Sequence, residues 1–232
     1  MVAWDQDAWG QERSAVRKTA TLKRASPFAS PEDRDRERQL KREAVLSTAA
    51  SLFCERGYNV TQMDDVAKQL GVTKPTIYYY FKNKEEVLVG CFQVGFELIE
   101  STLRNEGSRP RNGAARLRDV LLAYAEIMTQ DYGKCTVRIS THELSAASRL
   151  RIDEHRRKFD GRIRSLVADA VKDGSIRPCD PKIATFTILG SLNWIAQWHK
   201  PEGQLEPAEI AHAVVGQLLA GLETAASRHT GD

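Results

Sequence analysis

Residues 62–80 constrain this chain more than any other stretch. Thr61 stands where a short helix opens, with Asp64 placed as its capping-box partner. Met63, Val66, Ala67 and Leu70 recur at three- and four-residue spacing and form one apolar stripe. Gly71 ends the run, since glycine takes the left-handed backbone of a helix terminus without strain. Thr73 is the next N-cap, and Pro75 suits the first turn of a second short helix through about Tyr80. Two short helices joined by a tight turn at Gly71-Val72 make a helix-turn-helix, and its second helix suits a DNA major groove. The alternative is a packed helical hairpin whose tyrosine cluster is ordinary core.

The exposed chemistry favours nucleic acid. Thr73, Lys74 and Thr76 lie in the first turn of the second helix, where hydroxyls and an ammonium meet base edges or phosphates. Tyr78, Tyr79 and Tyr80 cannot all be core, because successive helical positions are about 100° apart. Lys82 and Lys84 follow, and Asn83 caps a further helix whose positive end carries Lys84, a good phosphate site. Charge agrees: residues 1–84 hold 15 Lys/Arg against 11 Asp/Glu, whereas residues 85–232 hold 19 against 20. The whole positive excess therefore sits in the first third, pointing to an anionic partner there.

The rest of the chain is helical by pattern and shows no convincing strand. Residues 1–33 are polar, with mixed charge, and read as an arm whose Arg17, Lys18, Lys23 and Arg24 suit a minor groove. An untethered tail is the plainer alternative, and nothing explains Trp4 and Trp9 there. From Arg34 an apolar stripe of Leu40, Ala44, Leu46, Ala49, Leu52 and Phe53 runs to Gly57. Further helices are expected over residues 84–105, 113–131, 135–147 and 148–173. Asp180-Pro181 opens another to about Trp198, and Pro207 opens the last. About nine helices make an all-α chain. The expected division is an arm at 1–33, a DNA-binding domain at 34–83, an effector-binding and dimerisation domain at 84–228, and a tail at 229–232.

Several classes fall away. Asp5, Asp7 and Glu12 interrupt any signal peptide. The apolar run from Ile188 to Trp198 is too short to cross a bilayer, so no membrane role is expected. Cys54, Cys91, Cys135 and Cys179 are spaced 37, 44 and 44 residues apart, which rules out a CxxC redox site and points to reduced, cytosolic thiols. His142-Glu143 lacks the second histidine of a zincin, and no serine sits in a nucleophile elbow. Neither an enzyme, a metal site nor a cofactor is expected.

A family resemblance rests on these residues. Ala49-Ala50-Ser51-Leu52-Phe53, Arg56-Gly57-Tyr58, Thr61, Asp65-Val66-Ala67, Leu70-Gly71-Val72 and Thr76-Ile77-Tyr78-Tyr79-Tyr80-Phe81 resemble the amino-terminal domain of the TetR family, and Lys82-Asn83-Lys84-Glu85-Glu86-Val87-Leu88 continues the signature. The match spans about residues 38–90. It implies a homodimeric regulator, usually a repressor, that binds a palindromic operator in double-stranded DNA and carries a helical domain for a small-molecule effector. On matching positions, Phe53, Val66, Ala67, Leu70 and Ile77 would form the motif core. Thr61 and Lys84 would meet phosphates, and Thr73, Lys74, Thr76, Tyr78 and Tyr79 would sit on the recognition helix. Tyr80 stands where many members have histidine.

A second stretch, Asn193-Trp194-Ile195-Ala196-Gln197-Trp198-His199-Lys200-Pro201-Glu202-Gly203, resembles members that respond to acyl-CoA or related CoA thioesters, with His199 in place of their tyrosine. Trp194 and Trp198 are either ligand wall or dimer interface. Residue type and helix position nominate Tyr124, Met128, Arg138, Phe159, Phe186, Trp194 and Trp198 for the pocket. The basic run Arg156-Arg157-Lys158 with Arg162 and Arg164 is either a solvated face or a clamp for CoA phosphates. A helical small-molecule-binding protein or enzyme without operator function, and a protein-interaction module, are the rival readings. Neither explains the charge asymmetry.

Overall fold

A computed structural model describes residues 30–104, 112–142 and 144–224. The expected arm up to residue 29, with Trp4, Trp9, Arg17, Lys18, Lys23 and Arg24, lies outside the described residues, as does the tail at 229–232. Nine helices form among the described residues: α1 (Pro31–Arg56), α2 (Met63–Leu70), α3 (Lys74–Tyr80), α4 (Lys84–Arg104), α5 (Gly113–Ile127), α6 (Asp131–Arg138), α7 (Ala146–Lys172), α8 (Pro181–Trp198) and α9 (Pro207–Ala220). Paired extended backbone among these residues is one bridge between Ile176 and Glu223.

Two compact units divide the chain after Leu40. In the first, the helix begins earlier than its apolar stripe suggests. The Ser30 hydroxyl accepts from the Asp33 amide at 3.1 Å, and the Asp33 carboxylate accepts from the Ser30 amide at 3.3 Å, so Pro31 is the first helical residue. Leu40 and Ala44, expected in the stripe, are exposed. In the second unit the buried face of α1 starts at Val45 and Leu46.

The second unit is built around α5, which packs against α4, α7, α8 and α9. Leu117, Val120, Leu121 and Tyr124 are its inward residues. Its first turn is pressed onto α7: a Cβ on Gly113 would lie 2.5 Å from the Ala170 Cα. The end of α7 caps that turn. Asp173 accepts from the Gly113 amide at 2.6 Å, and the Ser175 hydroxyl accepts from the Ala114 amide at 2.9 Å. Two amides that a helix N-terminus leaves unpaired are thus satisfied across a tertiary contact.

One expected boundary moves. A single helix over 113–131 followed by another over 135–147 becomes α5, a turn, and the short α6. Gln130 is the N-cap of α6, and Gly133 presses so closely on the end of α5 that a Cβ there would sit 1.9 Å from the Ile127 carbonyl oxygen. Only glycine fits that turn, and it cannot be told from a helical glycine by local pattern. The long helix starts at Ala146, with the Ser145 hydroxyl accepting from the Ser148 amide.

Burial opposes the charged form of Asp173, but hydrogen bonds from Ser175 and the Gly113 amide outweigh it and hold the carboxyl below its usual range. A carboxyl lowered on folding contributes fully above the ordinary carboxylate pKa and loses that contribution as pH falls through the folded value. Asp173→Ala should therefore cost about 1 kcal/mol at neutral pH, the usual worth of a capping side chain. Urea denaturation at pH 7 and at pH 3 checks this: the gap between wild type and variant should narrow at the lower pH.

Candidate functional site

The helix pair α2–α3 is set by its ends. Gln62 is the N-cap of α2, and its amide donates to Asp65 at 2.8 Å in a capping box. The expected box of Thr61 and Asp64 is thus displaced by one residue. Gly71 is left-handed at φ 65°, its amide reaches the Lys68 carbonyl, and the Val72 amide reaches that of Ala67. This two-bond terminus turns the chain sharply into α3. Ile77 is fully buried in the same hydrophobic cluster as Phe53, Val66 and Ala67, pegging α3 to the core.

That peg leaves the opposite face of α3 outside. Thr73, Lys74, Thr76, Tyr78 and Tyr79 are all exposed, and Tyr79 is 72% exposed. The Thr73 and Thr76 hydroxyls lie 2.9 Å apart. Lys74 pairs with Asp64 at 2.8 Å, which raises its pKa, so it stays charged. Tyr80 is half-buried with its ring edge-on to Tyr79, and its carbonyl accepts from Arg42 at 2.6 Å. Lys84 opens α4 with its ammonium 4.3 Å from the Tyr58 ring centre and 3.4 Å from the Asn59 carbonyl. The first amides of α4 are capped by Asn83, whose side chain accepts from Glu86.

Thr61 is corrected. It is 1% exposed, and its hydroxyl donates to the Gly57 carbonyl at 2.9 Å. With its amide also bonded to Gly57, it has nothing to offer a phosphate and instead shapes the entry to α2.

A cavity of about 310 Å³ lies among α4, α5, α6, α7 and α8. Phe96, Ile99, Tyr124, Phe159, Phe186 and Leu189 supply its apolar wall. Tyr124 stacks on Phe159 at 4.9 Å and donates to the Asn193 side-chain oxygen Oδ1 at 2.5 Å. Burial pushes the Tyr124 phenol up, so it remains a neutral donor. Arg156 also reaches this wall, donating to the Thr136 carbonyl at 2.7 Å. Beyond Asn193 the space continues past Trp194 and Gln197. Phe159 also lines a second cavity, with Glu100, Leu103, Arg104, Lys158 and Arg162 around it.

Of the nominated pocket residues, Tyr124, Phe159 and Phe186 come together in the first cavity, and Trp194 borders its extension. Met128, four residues after Tyr124 and still helical in backbone at the C-cap of α5, continues the inward stripe, is fully buried and does not line it. Arg138 lies in a separate cavity with Cys54 and Tyr58. Trp198 is 45% exposed on α8, alongside exposed Ile183, Phe186 and Trp194. Asn193, Arg156, Phe96 and Thr136 were missed. The resemblance did include Asn193, and the basic run held Arg156, but nothing local says which member of that run turns inward.

Residues 45–91 match the family of bacterial regulatory proteins of the tetR type, and residues 110–222 match the tetracyclin repressor-like carboxy-terminal domain. The chain belongs to the TetR family. This TetR-family chain is 30% identical to AibR in its crystal structure with isovaleryl coenzyme A and operator DNA, at a TM-score of 0.68, covering 76% of this chain and 97% of AibR. It is 29% identical to the HTH-type transcriptional regulator YhgD of Bacillus subtilis, over 78% of this chain and 96% of YhgD. It is 21% identical to the fatty acid metabolism regulator protein of Bacillus subtilis, over 77% of this chain and 93% of the regulator. The chain is a DNA-binding transcription regulator of that family, whose members are regulatory rather than enzymatic. No helix among the described residues is long and apolar enough to cross a membrane.

Replacing Lys84 by Ala should weaken binding to operator and random DNA alike and lower the salt slope by about one unit. Thr76→Ala should instead reduce discrimination between the two, by about 1–3 kcal/mol for each base edge it no longer reads. Fluorescence polarisation across a salt series separates the two effects. An unchanged slope for the first, or an unchanged specificity ratio for the second, would remove that role.

Proposed function

We propose that this regulator is a repressor that leaves a palindromic operator when an acyl-CoA or related CoA thioester binds it. Residues 34–83 serve as the DNA-binding part and residues 84–228 as the effector and dimerisation part. Thr73, Lys74, Thr76, Tyr78 and Tyr79 face the major groove, with Tyr80 steadying Tyr79, and Lys84 holds a phosphate at the start of α4. The exposed apolar face of α8, with Ile183, Trp194 and Trp198, packs in a homodimer that sets two recognition helices on one two-fold axis.

The observation carrying the effector reading is the pairing of two cavities around Phe159. One is aromatic, with a neutral phenol and an amide at its polar end, and suits a short acyl chain with its thioester carbonyl. The other is lined by Arg104, Lys158 and Arg162 with Glu100, and although Lys158 also pairs with Glu154 at 2.8 Å the cations still outnumber the carboxylates, which suits phosphates. The likeness to a regulator crystallised with isovaleryl coenzyme A supports the same class of ligand. Arg156, at the inner wall, is positioned to meet the thioester end.

The test is polarisation of labelled DNA from upstream of the gene, titrated with matched CoA thioesters, free acids and free CoA. One thioester should release the DNA while its acid does not. Lys158→Glu with Arg162→Glu should raise the thioester needed by tenfold or more, roughly the loss of one charge-assisted hydrogen bond, and leave DNA affinity unchanged. Tight, salt-sensitive DNA binding that no thioester disturbs would discard this effector.

A further inference from the structure

Helix packing undoes the sequence spacing of the cysteines. Cys54, in the last turn of α1, and Cys135, in the middle of α6, stand 81 residues apart in the chain, yet their sulfurs are 3.5 Å apart. A disulfide requires about 2.05 Å, so the two sulfurs need to approach by about 1.5 Å. Cys91 is also buried, but its thiol is turned to the Leu46 carbonyl, and Cys179 lies at the start of the α8 region.

The two thiols differ in ways that suit sequential oxidation. Cys135 is fully buried, whereas Cys54 is 8% exposed and lines a solvent-open cavity of about 370 Å³ with Arg56, Tyr58 and Arg138. A small oxidant entering there meets Cys54 first. Either thiol can donate across this contact, and Cys54 also reaches the Asp131 carbonyl at 3.4 Å. The contact with Cys135, with Arg138 and Lys134, lowers Cys54 against opposing burial and the Asp131 charge, while the contact with Cys54 and burial push Cys135 up. Both thiols are buried, but only Cys54 borders the cavity, so it is the thiol an oxidant reaches and Cys135 the one placed to resolve it.

We propose that Cys54 and Cys135 form a peroxide-sensitive dithiol that closes into an intramolecular disulfide joining α1 to α6. The Cys54 thiolate attacks one oxygen of hydrogen peroxide, the O–O bond breaks, and the departing hydroxide takes a proton to become water. Cys54 is then a sulfenic acid. The Cys135 sulfur attacks it, the S–S bond forms as the S–O bond breaks, and the leaving hydroxide departs as water with the Cys135 proton. Two thiols and one peroxide give one disulfide and two waters; sulfur is oxidised and peroxide oxygen reduced. Cys54 falls in the amino-terminal family match and Cys135 in the carboxy-terminal one, so the bond covalently ties the segment entering the helix-turn-helix to the effector-binding part. This inference does not depend on which effector the protein takes.

The experiment is brief treatment of the full chain with hydrogen peroxide, followed by alkylation in denaturant and non-reducing peptide mapping. Free thiols should fall from the four in the sequence to two, and dithiothreitol should restore them. The peptides carrying Cys54 and Cys135 should be recovered as one cross-linked pair within a single chain. Cys54→Ser and Cys135→Ala should each abolish the pair, while Cys91→Ala and Cys179→Ser should leave it intact. Four free thiols after treatment, or a cross-link through Cys179 or between chains, would overturn the proposal. The wild-type map stands even where a core variant fails to fold.

Discussion

The close crossing of α4 and α6 at Gly95 is the contact on which the rest of the molecule depends. A Cβ at Gly95 would lie 2.6 Å from the Thr136 methyl and 2.7 Å from the Tyr132 carbonyl oxygen. Backbone cannot yield cheaply to such an atom, so the two helices meet this closely only because the residue is glycine. The consequences radiate from α6. Thr136 and Val137 become cavity wall beside Phe96 and Ile99. Cys135 is pushed against Cys54 of α1. Arg156 of α7 then closes on the Thr136 carbonyl, fixing a third helix to the same eight residues.

That crossing also explains why α4 is the natural connector between the two functions. It holds 21 residues, about 30 Å of helix, with Lys84 at one end and Arg104 at the other. Phe96 and Ile99 face the cavity from its second half. A helix pinned near its middle by a close backbone contact shifts as a rigid element, since packed interiors do not deform gradually. Under the proposed function, a ligand that prefers one setting of α4 biases the placement of Lys84 and of the α3 face beside it. The ligand contributes only as much as its affinities for the two settings differ.

Much of the DNA-facing part was legible in the sequence because its determinants are local. Gly71, Pro75, Asn83 and the spacing of Val66, Ala67 and Ile77 specify helix ends and one buried face within a few residues of each other. The Thr61 reading failed by one position, since Gln62 with Asp65 forms an equivalent box and leaves Thr61 buried. The cavity was less legible. Tyr124, Phe159 and Phe186 are aromatic on apolar helices and stand out by type, but Asn193 and Arg156 are polar residues whose inward aim is decided by neighbouring helices. Met128 read as pocket because it shares one helical stripe with Tyr124, and nothing local reveals which of the two borders the cavity. The thiol pair was invisible for the same reason: a contact across 81 residues leaves no mark on spacing.

The sizes of the interactions argue for a thioester over a free acid. Moving an operator-binding population almost completely from bound to released takes about 5.5 kcal/mol of differential affinity. Burying an acyl chain yields about 0.8 kcal/mol per methylene, so a chain of four carbons supplies roughly 3 kcal/mol even if all of it distinguished the two states. The remainder has to come from polar contacts, and a charged partner contributes about 1.5–3 kcal/mol per hydrogen bond where a neutral one contributes about 1. Arg104, Lys158 and Arg162 are the cations positioned for that task, and Arg104 is the last residue of α4. Under the proposed function, a phosphate held there would grip the far end of the same helix that Lys84 begins, coupling the group an acid lacks to the element proposed to meet DNA.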